Sequence, residues 1–265
     1  HTFKVSLLSL CVAGVLGMVP HAFAADAEPA ALPKGQPFPG QGKAMLLSQK
    51  DLMEFKALPS YSEPEWINKL VKEGKLPPVK DRLPKEPMVF NSKGMPDGPG
   101  VYGGVFRMVS GGRPEGWNYN AGKNSGWGGT EYTVAECLTR TGPLTTIKKE
   151  EQTPLPNLAK SWEWSDDGKQ LTMHLIEDAK WSDGKPFSSD DVMFLWNDNI
   201  LDPHVTAWAN ADTYGKGTTL EAVDKNTIRW TFQEPRPTQY LYSMAFFRMC
   251  PGPAHVLKQF HPKYN

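Results

Sequence analysis

Three adjacent acid pairs, Glu150-Glu151, Asp166-Asp167 and Asp190-Asp191, are the groupings best equipped for chemistry. Two carboxylates at close quarters can divide the acid and base roles of glycoside hydrolysis. Their surroundings account for them without catalysis. Asp166-Asp167-Gly168 is turn chemistry, Ser188-Ser189-Asp190-Asp191 is a capping box, and Glu150-Glu151 sits in a solvated charge cluster. Gly98-Pro99-Gly100-Val101-Tyr102-Gly103 spells a dinucleotide fingerprint, but it precedes a strand, whereas that motif needs a strand before it and a helix after it. The chain carries no Gly-x-Ser-x-Gly elbow, no Gly-Lys-Ser/Thr phosphate loop, no Cys-x-x-Cys and no His-Glu-x-x-His, and its 6 His are scattered. The expectation is a protein that is not an enzyme and uses no metal or cofactor.

Charge names no partner. The 265 residues hold 29 basic and 29 acidic side chains, so no basic excess suits nucleic acid. The one long apolar run, Val5 to Val19, is about 15 residues, short of the roughly 20 that span a membrane. With Lys4 before it and Ala22-Phe23-Ala24 after it, residues 1–24 read as a cleavable signal peptide. Beyond that signal stand Cys137 and Cys250. Two readings stay open for them: a disulfide, or two separate buried thiols.

The elements follow from pattern. Residues 25–95 cannot build a core alone and read either as a proline-rich arm lying on a larger body or as a disordered linker, with one helix expected at Glu63–Glu73, Ser62 as its N-cap and Gly74 just past its end. Apolar alternation predicts a strand at Val101–Val109, and Thr133-Val134-Ala135-Glu136 predicts a short helix ending near Arg140. Two hairpins are predicted around Asp166-Asp167-Gly168 and Asp224-Lys225-Asn226. Leu171, Met173 and Leu175 face inward in the first, and Ile228, Trp230 and Phe232 in the second. Between them Ser188 opens a helix through Val192, Leu195, Trp196 and Asn199 that stops before Pro203. The plan is α+β, without regular βαβ alternation.

Trp181-Ser182-Asp183-Gly184-Lys185-Pro186-Phe187-Ser188-Ser189-Asp190-Asp191-Val192-Met193-Phe194-Leu195-Trp196 resembles the signature segment of the family 5 extracellular solute-binding proteins, the peptide-binding class serving ABC importers. Three further stretches stand in that family's order: Gly103-Gly104-Val105-Phe106-Arg107, Pro156-Asn157-Leu158-Ala159-Lys160-Ser161-Trp162-Glu163, and Val223-Asp224-Lys225-Asn226-Thr227-Ile228 ending at Pro235. The resemblance covers residues 101 to about 260.

It implies a periplasmic-binding-protein-like, two-lobed α+β fold of the class II type. The expected layout is a first segment of the large lobe at 96–141, the smaller lobe at 142–250, and a return toward the large lobe at 251–265. Family members are longer, so the chain is expected to hold one lobe and part of another. The implied activity is periplasmic capture of a peptide or similar small solute, by a monomer, for an ABC permease in the inner membrane. The implied ligand contacts are Ser110, Gly111, Gly112 and Arg113, then Trp117, Asn118, Tyr119 and Trp127. Gly exposes backbone donors and acceptors, Arg113 can grip a carboxylate, and the aromatics offer flat faces. The signature segment itself reads as structural. A rival reading is an exported carbohydrate-binding module without catalysis, since 9 Trp is a heavy dose and all but Trp66 fall between Trp117 and Trp230.

Overall fold

The computed structural model describes residues 47–91, 100–105, 107, 134–141, 147–205, 211–245 and 248–265. All of them belong to the second of two compact units, Phe38–Asn265. The expected signal peptide at 1–24 lies outside the described residues.

The arm is built from α1 (Gln49–Leu52), β1 (Met53–Phe55), α2 (Glu65–Lys72), α3 (Val79–Arg82) and β2 (Met88–Phe90). β1 and β2 pair antiparallel, Met53 opposite Phe90. α2 ends in a left-handed turn at Gly74, φ +70, where Gly74 N–H donates to Val71 O and Lys75 N–H to Leu70 O. Its N-cap is Pro64 rather than Ser62, because the N–H groups of Ile67 and Asn68 already find Pro64 O. The arm borrows its core: Leu52 and Met53 bury against Ile147 and Leu155. Glu151 secures that docking by accepting from Ser48 Oγ at 2.7 Å and from Gln49 N–H at 2.8 Å.

The main body begins with β3 (Thr139–Arg140), paired antiparallel with β4 (Leu155–Pro156). β5 (Ala159–Trp164) and β6 (Gln170–Leu175) form the first hairpin. Its turn needs Gly168 at φ +66, and Asp167 accepts from Lys169 N–H at 3.0 Å. α4 (Ser189–Phe194) follows and runs on as a π-helical stretch to Ile200. β7 (Thr219–Asp224) and β8 (Thr227–Thr231) form the second hairpin, turned by Asp224 accepting from Asn226 N–H at 2.7 Å.

The hairpins join through β6 and β8 into one antiparallel sheet, ordered β5-β6-β8-β7. Leu171, Met173 and Leu175 line its inner face with Ile228 and Trp230, as the alternation predicts, and Phe232 is buried just beyond β8. α4 covers that face with Val192, Leu195 and Trp196. Each such side chain stabilises the fold by roughly 1.5–3 kcal/mol. The aromatic centre is dense: Trp230 packs edge-on against Trp196 at 5.1 Å and stacks on Tyr214 at 5.4 Å. Burial pushes the Tyr214 and Tyr240 hydroxyls well above the ordinary tyrosine pKa.

Two expected elements are absent from the described residues. At 100–105 and 107 the chain is not a strand; Gly103 and Gly104 take φ +119 and +77, which turn the backbone out of an extended path. Of the described residues 134–140, Val134 is helical and 135–140 are not, and Thr139–Arg140 is drawn into pairing with β4. A local cap signal yields there to a long-range ladder. Cys137 and Cys250 form a disulfide across 113 positions.

Candidate functional site

The predicted contacts Ser110, Gly111, Gly112, Arg113, Trp117, Asn118, Tyr119 and Trp127 all lie outside the described residues. The chain is described on both flanks of that segment. Upstream, the Tyr102 hydroxyl donates to Ser62 O at 2.7 Å. Downstream, residues 136–140 are held from several sides. The disulfide ties Cys137 to Cys250, Leu138 N–H donates to Met249 O at 2.8 Å, and Ala159 N–H donates to Leu138 O at 2.9 Å. The Thr139 hydroxyl donates to Leu241 O at 2.9 Å.

A polar knot sits on this flank. Arg140 grips both Glu136 oxygens at 2.8 Å, and its Nε donates to Asn157 Oδ1 at 2.9 Å. Asn157 Nδ2 in turn donates to Glu136 at 2.8 Å and to Cys137 O at 2.7 Å. These five bonds join Glu136, Cys137, Arg140 and Asn157 and rigidify the segment. The acid–base spacing of Glu136 and Arg140 signals it in the sequence, although the pair does not stand on a helix.

The signature segment is structural in a specific way: it clasps the segment at 254–264. This comprises α5 (Ala254–Leu257) and the residues after it. Ser188 and Asp191 make the expected capping box. Asp191 is buried and also accepts from Trp181 Nε1 at 3.2 Å and Ala254 N–H at 2.9 Å. Asp183 meets His255 at 2.6 Å, and that contact, followed by the Lys185 N–H, holds its carboxyl below the usual carboxylate range. One helical stretch further on, Asp198 accepts from Lys263 Nζ at 2.7 Å and from the Tyr264 hydroxyl at 2.9 Å. The sequence alone places Asp191 in a cap and carries no signal for its bond to Ala254 or for the contact of Asp183 with His255.

Of the nine Trp, Trp196 and Trp230 are core, Trp162, Trp164 and Trp181 pack partly buried against it, and Trp66 is 66% exposed. Trp117, Trp127 and Trp208 lie outside the described residues. Trp density is thus mostly core construction among the described residues, not a sugar platform. Among the described residues, no three His, Cys, Asp or Glu gather where a metal ion could be held, and no helix is long and apolar enough to cross a membrane.

Residues 153–264 match the family described as bacterial extracellular solute-binding proteins, family 5 Middle. The chain is 54% identical, over 99% of its length, to the periplasmic alpha-galactoside-binding protein of Rhizobium meliloti. The chain is thus similar to family 5 of the bacterial extracellular solute-binding proteins.

The chain spans 38% of that relative's length. It superposes on the periplasmic binding protein MelB of Agrobacterium fabrum C58, solved in complex with stachyose, with a TM-score of 0.77 at 55% identity. The match covers 88% of this chain and 35% of that one. Similarity to the periplasmic oligopeptide-binding protein OppA of Escherichia coli K12 is lower, 31% over 42% of this chain and 23% of that protein. The fold is therefore the periplasmic-binding-protein type, mixed α and β, of which the chain holds a part.

Proposed function

We propose that the protein carrying this chain captures an α-galactoside oligosaccharide in the periplasm and delivers it to an ABC permease in the inner membrane, without catalysing a reaction. The observation that carries this reading is the 54% identity, running along 99% of the chain, with a relative named for α-galactoside binding. The oligopeptide-binding relative matches a smaller share less closely, which makes peptide capture the second reading.

The residue types between 110 and 127 suit a sugar. Trp117, Tyr119 and Trp127 offer flat apolar faces to the C–H side of a pyranose, while Ser110, Arg113, Asn118 and the Gly111-Gly112 backbone supply donors and acceptors for hydroxyls. Within the proposal, residues 1–24 are the export signal, 25–95 the arm, 96–141 the first segment of the large lobe, 142–250 the smaller lobe and 251–265 the return.

Isothermal titration of the full-length protein with stachyose and with a tripeptide tests the reading. Saturable heat with stachyose alone is expected, with an affinity lowered at least tenfold by Trp117→Ala or Trp127→Ala. Heat with the tripeptide alone, or release of galactose from stachyose, overturns it.

A further inference from the structure

Arg236 stands between prolines, in Pro235-Arg236-Pro237, so its backbone is restricted to extended conformations. Its N–H donates to Gly168 O at 3.0 Å, which fastens the residue to the turn of the first hairpin. From there the guanidinium carbon lies 5.7 Å from the Phe232 ring centroid and 5.4 Å from that of Tyr240. Gly215, at φ +95, makes room for it: a Cβ there would stand 1.9 Å from Arg236 Nη2. The adjoining loop is closed by Gln233 Nε2, which donates to Gly217 O at 3.2 Å. A hairpin turn, a glycine loop and two aromatic rings thus shape a seat for one flat cation.

Among the described residues, no acceptor answers the Nε of this cation. Arg236 Nε is buried with no hydrogen-bond partner. The arginine ion pairs among the described residues belong to Arg82, Arg140 and Arg229. A guanidinium has five N–H donors in a rigid fork and stays charged at any ordinary pH. Leaving such donors unanswered in a folded protein is costly, and the usual resolution is an ion or an ordered polar group that completes the set.

We propose that Arg236, whose guanidinium is held by the Gly168 turn, the Gly215 loop and the rings of Phe232 and Tyr240, is the receptor of a site for a small oxyanion, a carboxylate or a phosphate. Two oxygens of such an anion match the guanidinium fork, and the ring faces hold the fork flat and shed part of its water, which strengthens a charge-assisted bond. The inference stands independently of which solute the protein carries.

Thermal unfolding of the full chain is followed in graded phosphate and in graded succinate, with ionic strength matched by chloride, for wild type and Arg236→Met. A saturable rise of about 2–4 °C in wild type, absent from Arg236→Met, is expected. Whichever anion saturates first identifies the chemistry the site takes. An equal rise in both proteins reflects only the general effect of excluded salts and overturns the site. Should Arg236→Met fail to fold, the Arg236 Nε–H resonance of wild type is titrated instead: a saturable shift supports the site and an unmoved resonance sinks it.

Discussion

The carboxylate of Asp191, in the first turn of α4, accepts the backbone N–H of Ala254 at 2.9 Å across 63 positions. The same side chain takes Ser188 N–H and Trp181 Nε1–H, so three buried or half-buried donors converge on two oxygens. Asp191→Asn keeps the size but turns an NH2 group toward donors. The expected loss is about 2–4 kcal/mol in urea denaturation, against about 1 kcal/mol for Ser188→Ala, which removes the cap alone. An Asp191→Asn midpoint equal to wild type would contradict the convergence.

The Cys137–Cys250 bridge closes a loop of 113 positions, which restricts the unfolded chain strongly. Reduction, or Cys250→Ser, is expected to cost about 3–5 kcal/mol. Urea curves with and without reductant check this. Coincident curves would mean that the bridge contributes nothing beyond the Leu138–Met249 and Ala159–Leu138 backbone bonds beside it.

Docking of the arm depends on pH through Glu151. Gln49 N–H, followed by the Ser48 hydroxyl, holds this carboxyl below its ordinary 4.5. The folded state therefore binds fewer protons than the unfolded one. The contribution is fully present above about pH 4.5 and is lost as pH falls through the lowered value. Amide exchange at Gln49 should quicken on acidification in wild type, beyond the intrinsic trend, and show no such step in Glu151→Gln.

Trp230 and Trp66 make a paired test of what the indoles do. Trp230 is wholly buried between Trp196 and Tyr214, whereas Trp66 is 66% exposed on α2. Trp230→Ala is expected to cost about 3–5 kcal/mol and Trp66→Ala less than about 0.5 kcal/mol. Guanidinium denaturation followed by circular dichroism distinguishes them. Comparable losses for both would mean that α2 is packed more firmly than its exposure indicates.

The hairpins and the capped helix were legible because their signals are local and agree with one another. Alternation in Leu171-Thr172-Met173-His174-Leu175 and a turn glycine at 168 point the same way, and so do Ser188 and Asp191 at the helix start. Val101–Val109 shows where such reading fails. Its alternation is apolar enough for a strand, but Gly103 and Gly104 carry no Cβ to oppose left-handed backbone, and the described residues there turn instead. The helix expected to run on to Arg140 fails over 135–140 for another reason: a cap signal of about 1 kcal/mol is outweighed by pairing with β4, a disulfide and the Asn157 knot. The candidate ligand contacts were named from resemblance, and their placement is a matter for the proposed titrations.

By itself the sequence determined which residues face inward, where turns and caps fall, and the family to which the order of motifs points. These depend on periods of two and 3.6 residues and on side chains reaching their own neighbours. Only the tertiary structure decided that β6 lies against β8, that the arm completes its core on Ile147 and Leu155, that Cys137 meets Cys250, and that Asp183, Asp191 and Asp198 clasp residues 254–264. Each of those contacts joins positions far apart in the chain. Its loop-closure cost is offset by several contacts acting together, and no local pattern encodes that sum.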